Sequence, residues 1–298
     1  MPLKSNSVLW NQFSPNISVF DLWEFRKPWI EGFGYKPHFV HIDEEHQKGL
    51  LPLWFDKDEK EYMFVGSGWP EDNRFFVSST DVIKRLIAAA PRPLQLTGLL
   101  PFDQIESLSA IGTLEKDTDL KYVRPIAQGT TFESLLSSFP KKYRYNLRYD
   151  HRKIIEQGAV VTWTDTNDPA FFDVYVTMKD HVFKEGGKDE NYYADKRRAE
   201  TFRRIISSAR AYKVRVMQIT IEDKLAGIDI VFIYNNTYYL IGGAYDTKRF
   251  PGVGTAALYL LFEDAIKENA TLIDSLQEDD GWKHRYFEGR PLYIFKVS

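Results

Sequence analysis

The sequence predicts an α/β (α+β) chain built from two domains of one fold, and three observations predict it. Runs rich in β-branched and aromatic residues are separated by segments whose apolar residues recur at helical spacing. An apolar hairpin that opens on Gly and ends on Gly occurs twice, over residues 49–66 and again over residues 227–242. The length, 298 residues, suits two domains of about 150.

The elements follow in order. Residues 1–36 are aromatic and irregular, with Trp10, Phe13, Phe20, Trp23, Phe25 and Trp29. Strands are expected over 37–42, 49–55 and 62–65, a helix over 80–90 closed by Pro91-Arg92-Pro93, and strands over 94–99 and 120–125. A new pattern begins near Thr131. Helices over 132–139 and 141–157 are separated by Pro140, and Gly158 ends the second. A strand over 159–164 precedes helices over 169–184 and 193–209, joined by a loop over 185–190. Strands at 213–221, 227–234 and 237–242 lead into a glycine-containing loop and a helix carrying Ala256, Leu258, Leu261, Phe262 and Ile266. A strand over 271–276, a short helix over 281–287 and a strand over 292–297 close the chain. The expected division is 1–128 and 129–298.

Composition narrows the function classes. The chain is 43% hydrophobic and 15% aromatic, enough for extensive cores and too apolar for disorder. Its net charge of −3 gives no global basic field toward DNA, RNA or anionic lipid. Having no cysteine, it has no disulfide, thiolate metal site or cysteine nucleophile. Residues 1–16 lack an apolar signal region, and no apolar run approaches the ~20 residues of a membrane span. A soluble, cytoplasmic protein is expected. His38, His41 and His46 lie near Asp43, Glu44 and Glu45 without a ligand spacing, so no metal site is expected.

The segment Arg249-Phe250-Pro251-Gly252-Val253-Gly254-Thr255 stands between a strand and a helix. Two glycines there let the backbone approach a ligand, and the free N–H groups of the first helical turn point at an anion. A pyrophosphate fits, with Arg249 as a charge-assisted partner worth roughly 1.5–3 kcal/mol. A loop that merely starts a helix has the same composition.

These residues resemble the GNAT acyltransferase superfamily, whose acyl-CoA loop reads Gln/Arg-x-x-Gly-x-Gly/Ala; Arg249, Gly252 and Gly254 fill those positions. The resemblance is sharper to the FemAB-like branch, which includes acetyltransferases associated with cellulose and exopolysaccharide synthesis. It is carried by Asn146-Leu147-Arg148, Pro251-Gly252, Asp274 and Trp282-Lys283-His284-Arg285-Tyr286-Phe287, and it covers roughly residues 131–287. The resemblance implies two tandem GNAT-like domains, each a mixed, mostly antiparallel sheet flanked by helices, the first degenerate. It implies an N-acyltransferase with acetyl-CoA or another acyl-CoA as co-substrate, acting on a primary amine of a sugar, amino acid or cell-envelope precursor.

The resemblance also distributes roles. Ala244 and Tyr245, on the strand that splays from its neighbour in this superfamily, would hold the acyl donor with Arg249, Gly252, Val253, Gly254 and Thr255. Asp246 is the first candidate base, and Glu278, beside Asp279, the second. Tyr286 would protonate the leaving thiolate, or it is a core aromatic. The basic helix carries Arg144 and Arg148 on one face, which would grip a phosphate-bearing acceptor or form a solvated face; Lys283 is grouped with them. One departure stands out: Pro251 has no N–H, so one donor of the loop is missing. FemAB-like proteins that use aminoacyl-tRNA do not need this loop for coenzyme A. Two further readings therefore stay open: an aminoacyl-tRNA-dependent transferase of peptidoglycan precursors, and an inactive GNAT-fold binding module.

Overall fold

A computed structural model describes residues 3–67, 69–187 and 192–298. The chain divides into two compact units, Met1–Lys121 with Arg290–Ser298, and Tyr122–Gly289. The division falls earlier than the expected 128/129, and the last strand, expected to close the second half, belongs to the first unit.

The first unit opens with helices α1 (Leu3–Phe13) and α2 (Trp23–Phe33), where the sequence read as irregular. Pro28 lies inside α2 and removes one helical N–H. Burial of Phe25, Trp29 and Ile30 on one side holds the helix regardless. The sheet contains β1 (Pro37–Glu44), β2 (Gln47–Asp56), β3 (Glu61–Phe64), β4 (Phe76–Val77), β5 (Leu94–Leu99) and β6 (Thr113–Lys116), with helix α3 (Thr80–Ala89) between β4 and β5. The α3 residues Val82, Ile83, Leu86 and Ile87 form one apolar stripe against β2. Arg26 of α2 is buried in this unit at 3% exposure. Its guanidinium donates to the carbonyls of Phe20 (2.6 Å), Val65 (2.7 Å) and Asp72 (3.2 Å). Burial lowers its pKa to about 9, against the raising charges of Asp21 and Asp72. Arg26→Met leaves three buried carbonyls without their donor and takes one positive charge from beside Asp21 and Asp72, which keep Arg74 and Lys121 as partners. A loss of about 3–5 kcal/mol is expected in urea unfolding, the usual cost of breaking a buried charge cluster.

The second unit contains β7 (Lys121–Pro125), α4 (Phe132–Ser137), α5 (Lys141–Glu156), β8 (Val160–Asp165), α6 (Ala170–Glu185), α7 (Lys196–Ser208), β9 (Lys213–Ile221), β10 (Lys224–Tyr234), β11 (Thr237–Tyr245), α8 (Val253–Lys267), β12 (Leu272–Gln277) and β13 (Glu288–Arg290). Its sheet runs β13-β7-β12-β11-β10-β9-β8. The expected helix over 281–287 shrinks to a single 3₁₀ turn, Lys283–Arg285. Of the expected 185–190 loop, residues 188–190 lie outside the described residues. The final strand, β14 (Tyr293–Val297), pairs with β5 and β6 in the first sheet.

The hairpin repeat seen in the sequence is a repeat of topology. In the first unit β2 and β3 pair antiparallel, α3 follows, and β5 pairs parallel to β3. In the second, β10 and β11 pair antiparallel, α8 follows, and β12 pairs parallel to β11. Two copies of one mixed sheet with a crossover helix make up the chain.

Candidate functional site

The site grows from the way β11 leaves β12. The two strands pair over Thr237–Tyr239 against Leu272–Asp274 and no further, although β11 continues to Tyr245 and β12 to Gln277. Two local features cause the parting. In β11, Ile230 of β10 faces Gly242 while Val231 faces Leu240, so Ile241 is an extra residue, a β-bulge that turns the strand. In β12, Leu276 adopts a left-handed conformation at φ 62°, strained for a branched side chain. The Asp274 carboxylate fixes that kink by accepting the Leu276 N–H at 2.9 Å. Beyond Tyr239, β11 therefore has no β12 partner.

The bare strand runs directly into the loop. The Asp246 N–H donates to the Ala226 carbonyl at 3.0 Å, and its carboxylate accepts the Arg249 N–H at 2.9 Å. The Phe250 N–H returns to the Asp246 carbonyl at 2.9 Å, which closes the turn. Gly252 is the N-cap of α8 at φ 97°, a conformation other residues adopt only with strain. Val253 is fully buried and its N–H bonds the Phe250 carbonyl at 3.1 Å. The N–H groups of Gly254 and Thr255 have no protein acceptor and point along the positive end of the α8 dipole. Arg249 is exposed, its guanidinium 5.4 Å from the Phe250 ring centroid.

One carboxylate crowds this entrance. A Cβ at Gly252 would stand 2.7 Å from Asp150 Oδ1, so α5 brings an acid beside the loop. The face of α5 that carries Arg144 and Arg148 also presents Lys141, Tyr145, Tyr149 and Arg152 around an open groove. Tyr145 and Tyr149 stack at 5.8 Å. Arg144 donates to the Ser137 carbonyl at 3.1 Å, and Arg148 pairs with Glu133.

Several expected site residues take other positions. Tyr286 is 7% exposed and its ring packs on Phe139, Tyr143 and Phe262, so it is a core aromatic. Burial raises its pKa, which suits a neutral phenol in a core. Lys283 is buried and donates to the Gln277 carbonyl, which removes it from any acceptor grip. Asp279 caps the 3₁₀ turn, accepting the N–H groups of Trp282 and Lys283 at 2.8 Å each and bonding His284. Burial pushes its pKa up, but these bonds outweigh it and hold the carboxyl below its ordinary range. Glu278 is exposed, and Asp246 is occupied in its turn. Ala244, Tyr245, Arg249, Gly252, Val253, Gly254 and Thr255 do come together as one continuous strand, loop and helix entrance.

Sequence reasoning missed Asp229 on β10. It lies opposite Gly243 of β11 and accepts the Tyr245 hydroxyl at 2.5 Å. Burial raises its pKa from 3.8 to about 7, against the lowering effects of that hydrogen bond and of Lys179. Its signal was a lone acid in an apolar strand, Gly227-Ile228-Asp229-Ile230-Val231. Among the described residues, no cluster of three or more His, Asp or Glu could hold a metal ion, and no helix is long and apolar enough to cross a membrane.

Residues 141–284 match the acetyltransferase (GNAT) domain family. No curated protein matches the chain in sequence. Among solved structures, a conserved protein of unknown function from Bacteroides thetaiotaomicron VPI-5482 superposes with a TM-score of 0.65 at 14% identity, covering 100% of this chain and 98% of that one. FemX gives 0.64 at 11% identity, covering 100% and 96%. A tandem GNAT protein from the clavulanic acid biosynthesis pathway gives 0.54 at 11% identity, covering 99% and 95%. At these identities the likeness is one of fold, and it extends over both units.

Proposed function

We propose, from the premise that residues 141–284 belong to the GNAT acetyltransferase family, that this chain is an N-acyltransferase. It would carry an acetyl or other acyl group from coenzyme A to a primary amine of a sugar, amino acid or cell-envelope precursor. The observation that carries the reading is the bare edge of β11 leading without interruption into the free N–H groups of α8.

Each part of that path has a task. Acyl-CoA supplies a thioester, an acyl carbon open to attack by an amine. The unpaired backbone beyond Tyr239 can hydrogen-bond the amide groups of an extended ligand as a neighbouring strand would. Gly242 and Gly243 add no side chain there, and the space a Cβ would take is filled by Tyr175 over Gly242 and by Tyr245 and Asp229 over Gly243. The Gly254 and Thr255 N–H groups, with the α8 dipole, offer an anion site for a pyrophosphate, and Arg249 adds an exposed positive charge on the same loop. An edge N–H facing the acyl oxygen would stabilise negative charge as it develops, an effect worth roughly 10²–10³ in rate where measured. Arg144 and Arg148 of α5 would serve an anionic acceptor, and Asp246, in the turn before the loop, and Glu278, after β12, remain candidate bases.

Acetyl-CoA is expected to raise the melting temperature, with a stabilisation of about 2.7 kcal/mol at 100 times Kd. Absence of any shift with acyl-CoA at millimolar concentration contradicts the reading. Asp150 gives a second, signed expectation. Asp150→Asn removes a like charge beside the pyrophosphate position and should tighten acetyl-CoA on the order of 1 kcal/mol, about fivefold, by calorimetric titration.

An aminoacyl-tRNA donor is the second reading, favoured by Pro251 and by Asp150, both of which weaken the anion site. Ribonuclease-sensitive retention of aminoacyl-tRNA, with no acyl-CoA shift, would select it.

A further inference from the structure

The second unit buries a carboxylate that the donor path does not use. Asp229 is 4% exposed, and while its Oδ1 accepts the Tyr245 hydroxyl, its Oδ2 has no hydrogen-bond partner. A buried acid with half its acceptor capacity unfilled is costly, and an apolar residue would pack there at less cost. Its position is informative. A side chain at Gly243 would meet the Tyr245 hydroxyl at 2.5 Å and Asp229 Oδ1 at 2.6 Å. The Tyr–Asp pair therefore sits directly over the Gly243 backbone, within the stretch that β12 leaves bare.

We propose that Tyr245 and Asp229 form a proton relay for amine acylation at this edge. The Tyr245 hydroxyl meets the reacting atoms, and Asp229 is the positioning residue that orients it and holds the proton. The inference rests on the acyl-transfer reading. An acceptor arriving as an ammonium gives one proton to the Tyr245 oxygen as Tyr245 passes its own to Asp229, leaving a neutral amine. The amine nitrogen forms the C–N bond to the acyl carbon, and the C–S bond breaks. A second proton moves from nitrogen through the Tyr245 hydroxyl to the leaving thiolate, and Asp229 releases the first to solvent. One ammonium and one thioester become one amide, one thiol and one proton.

The groups facing Asp229 are consistent with this role. Tyr245 and Tyr238 approach from β11, Tyr175 and Lys179 from α6, and Asp264 of α8 bonds the Tyr238 hydroxyl at 2.8 Å. Lys179 reaches the Gly243 carbonyl at 3.4 Å. Burial, then the Asp229 charge, raises the Tyr245 pKa and keeps its phenol protonated. A proton acceptor titrating near neutrality matches transfer from an amine at physiological pH.

The test follows thiol release from acetyl-CoA with two small amines. Ethanolamine is an ammonium at pH 7, and hydroxylamine is already neutral there. In the wild type, kcat/KM with ethanolamine should rise through about pH 7 as Asp229 deprotonates. Asp229→Asn should lower that rate about 10²–10⁴-fold, abolish the inflection, lower the enzyme-dependent hydroxylamine rate far less and retain the acetyl-CoA melting shift. Tyr245→Phe should reproduce the ethanolamine loss. An unchanged ethanolamine rate and inflection in Asp229→Asn overturns the relay. So does an equal loss with both amines accompanied by loss of the acetyl-CoA shift, which is what a structural role gives. A wild type that neither binds acetyl-CoA nor releases thiol overturns the acyl-transfer reading, and the relay falls with it. If acetyl-CoA binds but neither amine is acylated, infrared difference spectra decide. A protonated-carboxyl band that persists to about pH 7 and disappears in Asp229→Asn supports the relay, and a band lost by about pH 5 overturns it.

Discussion

Thr255→Glu is expected to abolish the melting shift expected of acetyl-CoA with the wild-type protein. Thr255 is the third residue of α8, counted from the Gly252 cap, and its N–H is one of the two left for an anion. A carboxylate at this position suits the helix, because acids in the first turn are favoured by the dipole. The variant should therefore fold and melt close to wild type without ligand. With ligand, the new charge occupies the place of a pyrophosphate oxygen. At a separation of about 4 Å and an effective dielectric of about 20, two like charges repel by about 4 kcal/mol. Part of that is screened by solvent, so a weakening of about 2–4 kcal/mol is expected, enough to erase the shift. Gly252 is a poorer site for this experiment. Its φ of 97° and the nearby Asp150 make any side chain there a stability change as well as a binding change.

Asp229→Asn should stabilise the protein, and the gain should depend on pH in one direction. The folded carboxyl keeps its proton to about pH 7, whereas the unfolded one releases it near 3.8. Between those values the folded state binds the extra proton, so the contribution of Asp229 to wild-type stability falls as pH rises from about 4 to about 7 and is flat above. Asparagine keeps the acceptor for Tyr245 and carries no charge. The difference between variant and wild type should be near zero at pH 4 and grow to at most about 4 kcal/mol at pH 8, at 1.36 kcal/mol per tenfold change. For a unit of this size that corresponds to about 2–4 °C in Tm for each kcal/mol gained. Melting curves at pH 4, 6 and 8 check both sign and window. A difference that is constant across pH would show that Asp229 titrates as an ordinary surface acid.

A stabilising change at the cost of activity is the signature of a residue kept for function. The same trade appears in β12, where Leu276 is held left-handed by Asp274 and the strained kink opens the edge of β11.

The hairpin repeat, the strand-loop-helix leading into α8 and most element positions were legible in the sequence because each depends on local pattern. Gly49 to Gly66 and Gly227 to Gly242 announce hairpins by composition alone, and Gly252 announces a helix entrance. What was not legible depends on contacts between distant positions. The parting of β11 from β12 needs the Ile241 bulge and the Leu276 kink, neither of which has a residue-type signature. Asp229 meets Tyr245 sixteen positions away only because the bulge sets the register. Tyr286 and Lys283 looked functional because polar tips on a motif invite that reading, yet burial decides their role. The strand at the carboxyl end reads equally well in either sheet. Its Phe295 is wholly buried among first-unit residues, opposite Leu96 of β5 and Leu114 of β6.

The central claim is that an acyl donor lies along β11 with its anion at the start of α8. Backbone amide NMR during an acetyl-CoA titration tests it most directly. The amides of Gly242, Gly243, Ala244, Gly254 and Thr255 are expected to shift together, saturating at one Kd. Shifts confined to the α5 face around Arg144 and Arg148, with those five amides unmoved, would contradict it.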